Sequence, residues 1–121
     1  MTKANLVIQS IREVTVVNFE DSSILDTLQI QTIGDALYDL VDNRNCRKLI
    51  LDFSKVRFLS SSALGMLITL RKKAAAIKGE LTICSMRDDL RKVFTISRLD
   101  KLFNFYKNEE EALNAFGVIG I

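Results

Sequence analysis

The segment Phe58-Leu59-Ser60-Ser61-Ser62-Ala63-Leu64-Gly65 sets three consecutive hydroxyls between two apolar stretches of opposite character. Upstream, Lys48-Leu49-Ile50-Leu51-Asp52-Phe53 reads as a short strand. Downstream, Ala63 to Ile77 reads as a helix, with Leu64, Leu67, Ile68, Ala74, Ala75 and Ile77 facing inward. The serines therefore fall on a strand-to-helix turn, at least one of them near the N-cap, with Phe58, Leu59 and Leu64 placed to anchor the turn. Backbone N–H groups at such a position lack intrahelical partners, and the helix dipole is positive there. The site suits an anion, including a phosphate carried by one of the serines.

Working outward, the apolar run Leu49 to Phe53 is bounded by turns. It predicts a strand buried on both faces, as in a parallel sheet covered by helices. Asp52 lies at its C-terminal end, where open α/β sheets place their sites. Before it, Leu6–Ile11 and Val14–Phe19 read as a hairpin around Arg12-Glu13. Ser22-Ser23 reads as a turn or a cap. Asp26 or Thr27 then caps a helix whose apolar face is Ile30, Ile33, Leu37, Leu40 and Val41. After the serine helix, Gly79 suits the C′ position, and Leu81 to Ser85 is a strand. Ser85 to Asp88 resembles a capping box for a helix burying Leu90, Val93 and Phe94. Leu102 to Tyr106 is a last strand, Asn108 to Glu111 caps a last helix through Phe116, and Gly117 to Ile121 is an apolar tail. The order β-β-α-β-α-β-α-β-α predicts an α/β fold: one mixed, mostly parallel β-sheet layered with about four helices.

Composition bounds the functions available. The 121 residues suit one domain, 1–121, and 48% hydrophobic with 26% charged residues is a globular balance. No apolar run approaches the roughly 20 residues that span a bilayer. Met1 to Asn5 lacks the hydrophobic region of a signal peptide. The expectation is a cytoplasmic protein without membrane insertion. Cys46 and Cys84 form no CxxC motif, and with 0 histidines in the chain no metal site or cofactor is expected. The same zero removes Ser-His and Cys-His nucleophile pairs and the usual general base. A serine acted upon by another protein fits better than a serine that acts. The acids at Asp88-Asp89 and Glu109 to Glu111 sit at helix starts, where acids serve structure, and no glycine-rich phosphate loop is present.

Net charge is +2, unevenly spread. Residues 44–92, which hold the serines, carry twelve basic and four acidic side chains. Solvated helix faces explain much of this, and an acidic protein partner steered here is the functional alternative. Direct nucleic-acid binding is not expected, because basic and aromatic residues do not interleave.

The segment Leu49 to Gly65 resembles the signature of STAS domains, specifically bacterial anti-sigma factor antagonists, whose pattern is an apolar strand ending in Asp followed by Asp-Ser-Ser-Gly-Leu-Gly. The resemblance extends over nearly the whole chain, through Gly79 to Cys84 and Leu99 to Phe103. It implies that Ser61 is the phosphorylatable serine, Ser62 the second serine, and that Leu64, Gly65 and Asp52 match their motif positions. Ser60 stands for the motif aspartate, which removes a charge beside the acceptor. Ala63 stands for the motif glycine, which adds a methyl.

The resemblance further implies a switch by partner exchange, in a protein that is not itself an enzyme. Unmodified, the domain would bind, through Asp52, Ser60, Ser61, Ser62 and Leu64, an anti-sigma factor with a histidine-kinase-like ATPase fold, freeing a sigma factor. That partner, a serine kinase, would phosphorylate Ser61, and a serine phosphatase would reset the switch. Two other readings stand beside this one. A constitutive STAS scaffold or transporter-associated subunit would leave Ser61 unmodified. A serine enzyme would need Lys55 as its base.

Overall fold

In the computed structural model, which describes residues 4–118, the chain starts with a hairpin. Strands β1 (Leu6–Ile11) and β2 (Val14–Phe19) pair antiparallel around Arg12 and Glu13, whose φ values are 47° and 73°. Two successive positive φ angles match the right-handed strand twist, although neither residue is the usual Asn or Gly. A two-residue strand β3 (Ser23–Ile24) leads into α1 (Thr27–Asp42). Asp26 caps α1 reciprocally with Gln29: each side chain takes the other's backbone N–H. Strand β4 (Lys48–Asp52), a two-residue β5 (Phe58–Leu59) and α2 (Ser61–Ala76) follow. The chain continues through β6 (Glu80–Cys84), α3 (Asp88–Ile96), a 3-10 turn (Leu99–Leu102), β7 (Asn104–Tyr106) and α4 (Glu109–Ala115).

The main sheet has the order β1-β2-β4-β6-β7, with every pair after the hairpin parallel. Strands β3 and β5 form a separate parallel pair, joining Ser23 to Phe58 and Ile24 to Leu59. Strand alternation divides the core. Val17, Leu49, Leu51 and Ile83 face a cluster with Ile33, Leu37 and Leu40 of α1, Leu67 and Leu70 of α2, and Leu90 and Phe94 of α3. Val14, Val16, Ile50 and Cys84 face the other way and pack with Ala112 and Leu113 of α4. Three helices thus cover one face and one covers the other, the layered α/β arrangement expected from the element order. Among the described residues no helix is long and apolar enough to cross a membrane.

Several expectations are corrected in detail. Helix α2 buries Ala63, Met66, Leu67, Leu70 and Ala74, while Leu64, Ile68 and Ile77 are half-buried and Ala75 is exposed. The helix packs against both the sheet and α1, so its covered surface is rotated from the stripe read in the sequence. Val93 on α3 is exposed. Ser85 takes a left-handed φ of 61° and does not cap α3, whose N-cap Arg87 makes no side-chain cap bond. Ser22 and Ser23 make strand contacts instead of a cap: the Ser22 carbonyl accepts from Arg57 N and Phe58 N. Leu102 closes the 3-10 turn and does not open a strand. The left-handed residue after α2 is Lys78, φ 59°, while Gly79 donates to the Ala74 carbonyl and Lys78 to that of Ala75. Gly79 serves a close approach: a Cβ there would lie 2.6 Å from the Arg47 carbonyl oxygen. In the tail Val118 is buried, and the rest of it, beyond that residue, lies outside the described residues.

Candidate functional site

The serine turn is built by three adjoining backbones. The β3–β5 pair brings Ile24 beside Leu59, and the Ser60 N–H donates to the Ile24 carbonyl at 3.1 Å. Ser60 is the N-cap of α2, with extended backbone (φ −87°, ψ 166°) and its Oγ accepting from Ala63 N at 3.1 Å. Its carbonyl accepts from Leu64 N at 3.2 Å. Ser60 is therefore committed to structure. Serine caps a helix about as well as aspartate does, so its presence keeps the turn while leaving out the charge. The Ala63 methyl is fully buried in the core, which accommodates it.

Ser61 and Ser62 occupy the first two helical positions, and both are exposed. Their backbone N–H groups head the helix with no intrahelical acceptor. The first turn of α2 contains no acidic residue. The positive end of a 16-residue helix is thus left without intrinsic negative charge beside two free hydroxyls. Leu64 is half-buried and packs against the core below them.

Asp52 lies elsewhere. It is two residues beyond Ile50 on β4 and points to the α4 face of the sheet, opposite α2. It is only 6% exposed and accepts from Ser54 N at 2.8 Å. Its other partner is Glu109, the first residue of α4. The Glu109 carboxyl hydrogen-bonds Asp52, and that bond, aided by burial and by the charge of Asp52, pushes the Glu109 pKa up to about 7. Cys84 is paired with Asp52 across β4 and β6. Burial, reinforced by Asp52, pushes its thiol up to about 12, so it stays a protonated core residue. The structure thus groups Ser60, Ser61, Ser62 and Leu64 and sets Asp52 in a separate carboxyl pair.

Two features escape a reading of the sequence. Phe58 does not anchor the turn: it is 58% exposed, and Val56 and Leu59 point inward instead. Leu25 and Leu28, exposed at 53% and 57%, lie where β3 runs into α1, and Leu25 directly follows Ile24, whose carbonyl accepts the Ser60 N–H. Leu28 is out of phase with the Ile30, Ile33 and Leu37 stripe, and that phase was the available signal. Lys55, the base a serine enzyme would need, is instead bonded to both Glu20 carboxylate oxygens at 3.0 and 3.1 Å.

The sequence model of the STAS domain matches residues 5–112. BtrV of Bordetella bronchiseptica, a candidate anti-sigma factor antagonist, is 30% identical over 70 residues, 58% of this chain and 60% of that protein. The anti-sigma F factor antagonist of Paenibacillus polymyxa is 26% identical over 81 residues, 67% of this chain and 69% of that one. The chain thus spans less than two thirds of the length of the first of these relatives. The fold superimposes on the Bacillus cell fate determinant SpoIIAA in its phosphorylated form with a TM-score of 0.72 at 20% identity, covering 92% of this chain and 98% of that one. The match runs from the first strand into α4 and includes the serine turn: this chain belongs to the STAS domain family.

Proposed function

We propose that this domain is an anti-sigma factor antagonist, a protein-binding module whose serine turn docks on an anti-sigma factor and is switched off by phosphorylation of Ser61. The observation that carries the reading is the first turn of α2. Ser61 is exposed at the first helical position, above free N–H groups and with no acid in that turn. A phosphate there adds roughly −1.5 to −2 charges at neutral pH. The helix start tolerates that charge within the domain. An interface formed against the neutral serine does not, because the phosphate would be buried against groups that have no counter-charge for it.

The names of the Bordetella and Paenibacillus relatives support the antagonist role, and the phosphorylated form of SpoIIAA supports a fold that carries a phosphate. In this reading the partner is a serine kinase with a histidine-kinase-like ATPase fold, a phosphatase restores the free serine, and Ser60, Ser62 and Leu64 border the contact. Asp52 acts from behind, by holding the β4 loop through Ser54 N.

Phosphopeptide mass spectrometry on the protein from its own cells, in growth and under stress, tests this. Phosphate on Ser61 with an occupancy that changes between conditions is the expected result. A well-covered peptide with Ser61 unmodified throughout overturns the switch and leaves a constitutive binding module.

A further inference from the structure

The two edges of the main sheet are treated differently. The β7 edge is three residues long, follows Lys101 and precedes Lys107, and the Arg91 guanidinium lies over the Phe105 ring at 4.1 Å. Short length and nearby cations are common protections against sheet-to-sheet pairing. The β1 edge is twice as long, and although Lys3 precedes it and Arg12 follows it in sequence, among the described residues no cation lies over its side chains as Arg91 does over Phe105. Leu6-Val7-Ile8-Gln9-Ser10-Ile11 is six residues long, contains no charge, proline or glycine, and pairs with β2 one-to-one without a bulge. Its outer backbone groups have no strand partner among the described residues, because β1 ends the sheet. Its four central residues are exposed, and two of them are apolar: Val7 at 43% and Ile8 at 42%. By strand alternation one points to each face of the sheet.

We propose that β1 pairs antiparallel with β1 of a second copy of this chain, joining the two sheets edge to edge into one. The strand itself argues for a second copy. An uncharged edge meets its own image without like-charge repulsion, and its outward N–H and C=O groups are self-complementary when antiparallel. Such a contact is isologous and closes at two. Pairing of β1 with β7 would propagate into fibres, and the three-residue β7, with Arg91 over Phe105, opposes it. A neighbouring strand also covers Val7 on one face and Ile8 on the other, which no single docked helix does. The two-fold axis lies normal to the sheet, so α1, α2 and α3 of both copies share one face. The strands β2 run in opposite directions, which places the two serine turns at opposite ends of the joined sheet, both free. One strand pair is a small contact, so association is weak and depends on concentration.

Sedimentation equilibrium on the wild type, Val7→Lys and Ile8→Lys tests the proposal. The wild-type weight-average mass is expected to rise from 13.7 kDa towards twice that value as concentration increases. Both variants change exposed side chains, are expected to keep the wild-type circular dichroism, and stay at 13.7 kDa. Hydrogen exchange on the wild type needs no variant: the outward amides of β1 slow with rising concentration. A wild type that remains monomeric at millimolar concentration overturns the pairing. So does a mass that rises equally in the folded lysine variants, since the interface would then lie elsewhere.

Discussion

Helices α2 and α4 both begin where parallel strands end, and each opens on a side-chain cap. The Ser60 Oγ accepts from Ala63 N at 3.1 Å, and the Asn108 Oδ1 accepts from Glu111 N at 2.9 Å. From there they diverge. The first turn of α4 is filled by Glu109, Glu110 and Glu111, and the first of these is pressed against Asp52. The first turn of α2 holds Ser61, Ser62 and no acid. One helix complements its own dipole for stability, and the other leaves that end open to a charge added from outside. In the proposed reading the acid-free start of α2 is the one that receives charge, and the acid-filled start of α4 serves structure.

The largest effect that would sharpen this contrast is a pH dependence belonging to the α4 side alone. Glu109 titrates near 4.5 unfolded and is raised to about 7 in the folded protein. Between those values the folded state holds a proton that the unfolded chain has released, so stability falls as pH rises through the window. The contribution is fully present below about 4.5 and lost above about 7. Melting temperature measured from pH 4 to 8 should decline across this range in the wild type, with solvent at the half-buried carboxyl moderating the slope. In Glu109→Gln, which keeps a hydrogen-bond donor towards Asp52 without the titration, the decline should flatten. An unchanged slope in that variant would remove the carboxyl pair as the cause and weaken the distinction between the two helix starts.

Next in size are the caps. Ser60→Ala and Asn108→Ala each delete one side-chain acceptor and should cost about 1 kcal/mol in urea denaturation. Ser60→Asp keeps the acceptor and adds a charge at the positive helix end, so it should recover the loss and exceed the wild type at low salt. If Ser60→Asp is the less stable of the two Ser60 variants, the α2 start does not welcome negative charge, and the comparison fails on its functional side.

Periodicity made much of this architecture readable. The α1 stripe of Ile30, Ile33, Leu37, Leu40 and Val41 is buried as its spacing implies, and the apolar run of β4 is buried on both faces. The serine turn was legible because a hydroxyl run between a strand and a helix has one natural place, the cap. What was illegible depends on contacts distant in sequence. Asp52 shares a face with Ile50 by simple alternation, but only the docking of α4, more than 50 residues later, decides that Glu109 meets it. The β3–β5 pair has two residues a side and no propensity signal of its own, so the exposure of Phe58 and its pairing with Ser23 follow only from tertiary structure. The buried face of α2 departs from its apolar stripe because a helix covered from two sides has no single hydrophobic period to read.

The smallest effect is the most informative for function. Ser61→Asp places one negative charge at the first position of α2, where it should stabilise the isolated domain by roughly 0.3–1 kcal/mol at low ionic strength. The gain should shrink as salt is raised, because Ser61 is exposed and its interactions are screened. A destabilising Ser61→Asp would mean that a phosphate strains the domain and acts by deforming it. A stabilising one means that the folded domain accepts the charge and that any loss of partner binding arises at the interface, where the added charge must be desolvated against groups arranged for a hydroxyl. The sign of this sub-kilocalorie change, read by melting the domain in low and high salt, separates a switch that works by altering the fold from one that works by altering the surface.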